Sequence, residues 1–72
     1  MIRYVLSVVG DPDMFVRVGE DADPYYHELD RATFFEDEWS AEEYAEYHPG
    51  LFAIERAELH VVSNSRIIGK KE

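Results

Sequence analysis

The sequence predicts an α+β fold, a small antiparallel β-sheet of three to five strands with one short α-helix packed on it. Three observations carry that expectation. Residues 2–9 and 14–18 are runs rich in β-branched and aromatic residues, separated by the turn cluster Gly10, Asp11, Pro12 and Asp13. One segment, at Trp39 and Ser40, carries a full helix start signal. And a chain of 72 residues buries only about 60% of its unfolded surface, which leaves room for one modest core and a single domain spanning 1–72.

Taken in order, Ile2, Tyr4, Leu6 and Val8 alternate with Arg3, Val5, Ser7 and Val9. That period of two gives a first strand with one core face and one half-covered face. Met14 to Val18 resumes the pattern and pairs with it as a hairpin. After the polar stretch Gly19 to Pro24, Tyr25 and Tyr26 form a short edge strand, and Thr33, Phe34 and Phe35 a further one. Ser40 with Glu43 then spells a capping box, with Trp39 and Tyr44 placed as a hydrophobic staple. A helix of about two turns therefore starts at Ala41, carries Glu42 and Glu43 in its positive first turn and stops before Pro49 and Gly50. Ala41, Tyr44, Ala45 and His48 face the sheet, and Glu42, Glu43 and Glu46 face solvent. Leu51 to Leu59 reads two ways, since it holds good helix formers and Pro49 suits a first helical turn. The strand reading, ending in Leu59 to Val62, is preferred. Ser63 to Arg66 reads as a turn, and Ile67 with Ile68 as a last short strand.

Charge is the strongest compositional signal. Sixteen Asp and Glu against seven Lys and Arg give a net charge of −9, and 13 of the acids lie between Asp11 and Glu46, where Arg17 and Arg31 are the only bases. Such a surface repels phosphate polymers and anionic lipid headgroups, so neither nucleic acid nor a membrane is an expected direct partner. Acidity that serves solubility alone is the alternative reading. The apolar opening run is short and meets Asp11 directly, so it reads as a strand rather than a leader, and a cytoplasmic protein is expected.

The same residues argue against catalysis and metal binding. Cysteine is absent, so there is no thiolate ligand or nucleophile. A calcium loop counted from Asp21 would need Gly where Tyr26 stands and a bidentate Glu where Ala32 stands. His27, His48 and His60 match no metal spacing; His48 suits a helix C-terminus, and the other two read as surface strand positions. No phosphate loop, serine elbow or triad order is present. The expectation is a non-enzyme with no metal and no cofactor.

Eight aromatic rings fall between Tyr25 and Phe52. Phe34, Tyr44 and Phe52 are expected beneath the helix. A strand of period two cannot bury both Tyr25 and Tyr26, nor both Phe34 and Phe35, and helical spacing turns Tyr47 away from Tyr44. Some rings are therefore expected at the surface. An exposed ring among acids has the make-up of an interface hot spot.

The stretch Leu29-Asp30-Arg31-Ala32-Thr33-Phe34-Phe35, a short acidic spacer and Ala41-Glu42-Glu43-Tyr44-Ala45 resemble a pattern in small proteins of phages and integrated mobile elements. In size, acidity and β-plus-one-helix build the chain also looks like several phage anti-CRISPR proteins. That resemblance implies an inhibitor acting in the host cytoplasm, occupying a nucleic-acid-binding surface of a CRISPR effector or similar defence complex by DNA mimicry. The expected partner-binding residues are Glu36, Asp37, Glu38, Trp39, Glu42, Glu43, Glu46 and Tyr47 as the leading patch, with Asp21 and Asp23 as a second. The competing expectation is a non-catalytic interaction module or small homodimer, joined through exposed strand edges and aromatics.

Overall fold

The computed structural model describes residues 1–19, 24–62 and 66–71. Five strands form one antiparallel sheet: β1 (Ile2–Val8), β2 (Asp11–Val16), β3 (Tyr25–Tyr26), β4 (Phe52–Val62) and β5 (Arg66–Lys71). Their order is β3-β2-β1-β4-β5. One helix, α1 (Glu38–Glu46), and a 3₁₀ turn (Leu29–Arg31) complete the described elements. This is the predicted α+β fold, at the upper end of the expected strand number. Residues 52–59 are strand, which resolves the ambiguity at Leu51 to Leu59. Strand β1 is the hub, paired with β4 along its whole length and with β2 near its end. Gly10, with φ of 92°, makes the turn between β1 and β2, a backbone region that costs a glycine little.

Both faces of the sheet are covered. Paired positions of β1 and β4 share a face, so Val5 lies with Ala57 on one side and Leu6 with Ile54 on the other. The first face buries Val5, Phe15, Ala32 and Ala57, with Leu29 and Phe34 packed on them. The second buries Leu6 and Val16 beneath Ala41 of α1, with Tyr4, Phe35, Tyr44, Ala45, Phe52 and Ile54 around them. The face expected to be half-covered is thus closed over by the segment that carries the 3₁₀ turn. Ser7, only 1% exposed, donates from its hydroxyl to Glu55 Oε1 at 3.3 Å, which satisfies its one buried polar group.

Phe34 and Phe35 serve opposite faces. The Phe35 amide donates to the Tyr4 carbonyl at 2.7 Å and the Tyr4 amide to the Phe35 carbonyl at 2.9 Å, so Phe35 is an isolated bridge on β1 rather than part of a further strand. Just before it, the Thr33 amide donates to the Val16 carbonyl and Thr33 Oγ1 accepts from the Val18 amide. Phe34 therefore packs away from the helix, against Gly69, which corrects its expected place beneath it. Two strands also change their bounds. β2 begins at Asp11, within the expected turn, and ends at Val16, while Arg66 belongs to β5. The expected turn residues Ser63, Asn64 and Ser65 lie outside the described residues.

The helix starts one turn earlier than Ser40 suggested. Asp37 is extended, with φ −138° and ψ 162°, and its Oδ1 accepts from the Ser40 amide at 2.7 Å. Asp37 is thus the N-cap, and Ser40 is the third helical residue. Two cap-competent residues stand three positions apart, and the earlier one adds a turn. That turn carries Trp39 to the solvent side, 70% exposed, so the expected staple to Tyr44 does not form. The backbone amide of Ser40, then its hydroxyl, hold the Asp37 carboxyl below its ordinary value of 3.8. A depressed carboxylate favours the folded state above that ordinary value, and the contribution fades as pH falls through the folded value. Asp37→Ala is accordingly expected to lower the melting midpoint at neutral pH by about 5 °C and to remove part of its decline below pH 3.8. Ser40→Ala leaves the amide donor in place and should move the midpoint far less.

Candidate functional site

A helix turns 100° per residue, so burying Ala41, Tyr44 and Ala45 against the sheet sends Trp39, Glu42, Glu43 and Glu46 outward. Tyr47 follows Glu43 by one turn and is 75% exposed. Trp39 stands three and four positions before Glu42 and Glu43, the spacing of surface neighbours on a helix. The result is an indole flanked by carboxylates, with a phenol at the far end. Glu36, on the approach to the helix, and Glu38, its first residue, are exposed. Asp37 is exposed as well but commits one carboxylate oxygen to Ser40.

Beneath this face the helix is anchored by rings. Tyr44 lies 6.3 Å from Phe35, 6.3 Å from Phe52 and 5.6 Å from His48, and His48 meets Phe52 edge-on at 5.4 Å. The outer side chains therefore project from a fixed platform. His48 touches this platform with its ring but is itself exposed, so its expected place against the sheet is met only by these ring contacts. His60 is exposed on β4 as expected, whereas His27, also exposed, lies in a bend just after β3 and not in a strand.

Among the described residues, Glu36, Glu38, Glu42, Glu43 and Glu46 have no cationic group within ion-pair distance. The two bases of the acidic half are engaged elsewhere. Arg31 lies over the Tyr26 ring at 5.4 Å, and Arg17 Nη1 donates to the Arg31 carbonyl at 3.4 Å. Mutual repulsion along the helix is thus left uncompensated within the described chain, a cost that a cationic partner would remove.

The structure brings the whole leading patch of the sequence reading, residues 36–39, 42, 43, 46 and 47, onto one helix and its approach. Asp21 and Asp23 lie outside the described residues. A feature the pattern did not reveal is a groove of about 370 Å³ at the edge of α1, lined by Glu42, Ala45, Glu46, Pro49 and Ile54. Its sequence trace is the Glu42 and Glu46 pair, one helical turn apart, astride Ala45 and followed by Pro49. Among the described residues no three His, Asp or Glu side chains converge as metal ligands, and no helix is long and apolar enough to cross a membrane.

Fold and surface together define a small α+β domain that presents an acidic, aromatic-bearing helix. No protein-family model, curated protein or solved structure matches the chain.

Proposed function

We propose that the chain is a non-catalytic acidic inhibitor that binds a basic, nucleic-acid-binding surface of a host defence complex, as anti-CRISPR-like DNA mimics do. The observation that carries this reading is the set of exposed carboxylates on α1 and its approach, without cationic partners among the described residues and gathered around Trp39. Carboxylates would stand where phosphates lie, steering association with a basic cleft, and the indole would supply the desolvated anchor. The chain itself repels nucleic acid and competes with it for the same protein surface.

Competition is therefore the test. A basic nucleic-acid-binding protein retained by the immobilised chain should be released by duplex DNA and by rising salt. Retention indifferent to both would refute mimicry. It would favour instead association through β5, which ends the sheet and has no further strand paired to its outer edge among the described residues.

A further inference from the structure

The groove beside α1 adds an apolar surface to two carboxylates of the acidic face. Its floor is apolar, made by Ala45, Pro49 and Ile54, and its helical wall carries Glu42 and Glu46. These two residues are four apart, so their Cβ atoms stand about 5–6 Å from each other on one side of the helix. Like charges at that spacing work against the helix, and no cation among the described residues relieves them. A divalent ion suits the site poorly, because a hard cation needs several oxygen ligands and the floor offers carbon. An uncharged apolar guest would leave the carboxylates uncompensated.

We propose that this groove takes the side chain of an arginine borne by a protein partner, its methylene stem on Ala45, Pro49 and Ile54 and its guanidinium between Glu42 and Glu46. The assignment rests on the reading of the acidic helix as the partner-binding face, and it names the chemical group recognised there. Long cationic side chains lay their stems on apolar surface while the head meets carboxylate or water. Arginine fits better than lysine, because its planar fork reaches two carboxylates at once and is more weakly hydrated than an ammonium. A nucleic-acid-binding cleft is rich in such side chains, since arginine is also the residue that grips phosphate.

The test uses an N-acetylated hexa-arginine amide as probe, titrated into the full chain at low salt and followed by calorimetry and by the methyl resonances of Ala45 and Ile54. Binding with movement of both methyls is expected, and hexalysine should bind several-fold more weakly. Glu42→Gln with Glu46→Gln should weaken hexa-arginine by about tenfold. Glu36→Gln with Glu43→Gln changes the net charge equally but lies outside the groove, and should weaken it by about twofold. Native melting of both double variants establishes that the comparison is between folded proteins. Equal losses in the two variants, or binding that leaves both methyls unmoved, would overturn the groove assignment while the broader acidic-face reading stands. Absence of any hexa-arginine binding at low salt would overturn both.

Discussion

Gly69→Ala should destabilise the domain by about 1–3 kcal/mol, and Gly69→Val by more, because the floor of one core has no space for a side chain there. A Cβ built on Gly69 would stand 2.9 Å from Phe34 Cε1 and 3.3 Å from Leu29 Cδ2, closer than packed carbon atoms tolerate. Gly69 is buried in β5, and the segment that covers the sheet at this point is the one bearing the 3₁₀ turn. Lifting Phe34 from Gly69 would loosen its packing against Ala32 and Ala57. In a domain this small, a loss on that scale is a large part of the total stability. Urea denaturation followed by circular dichroism measures it, and a second substitution locates it. In a Phe34→Leu background, which withdraws the ring edge, Gly69→Ala should cost distinctly less. Equal costs in the two backgrounds would show that the ring is not what excludes the side chain.

Replacing Glu42, Glu43 and Glu46 together by Lys should slow association with the proposed basic partner by about ten- to a hundredfold and flatten its dependence on salt. Each replacement changes the charge by two, so the net charge moves from −9 to −3. All three side chains are exposed, and the buried side of the helix, Ala41 with Tyr44 and Ala45, is untouched. Folding is therefore expected to survive. Stopped-flow association at several salt concentrations distinguishes a steering effect from a lost contact, because exposed charges at long range act on the on-rate and are screened. An unchanged rate and salt slope would mean that the helix face is only solvated surface, and would direct attention to the β5 edge.

Much of this architecture was legible because its signals are local. The alternation in β1, the tyrosine pair of β3 and the spacing of Ala41, Tyr44 and Ala45 need no distant partner to be read. The helix start was misplaced because Asp37 and Ser40 are both good caps, three residues apart, and local chemistry alone does not rank them. Phe34 and Phe35 depart from the expected pattern for a different reason. Alternation along a strand assigns one ring to the core and one to solvent, whereas here the covering segment lets both rings find apolar surroundings on opposite sides of the sheet. The close approach of Gly69 to Phe34 joins distant parts of the chain and leaves no trace in periodicity, while the helical spacing of Glu42 and Glu46 marks one wall of the groove but not Ile54 of β4 across from it.

The bridge at Phe35 also limits how this chain can vary in length. Phe34 and Phe35 are consecutive, yet each belongs to a different core, and two backbone hydrogen bonds to Tyr4 fix which ring goes where. Adding or removing one residue between Thr33 and Phe35 would break that register, sending an aromatic ring to the wrong side of the sheet and disturbing both cores in one step. Length variation should therefore be tolerated at the Gly10 turn far more readily than at the two phenylalanines, which act as a splice joining the halves of the molecule.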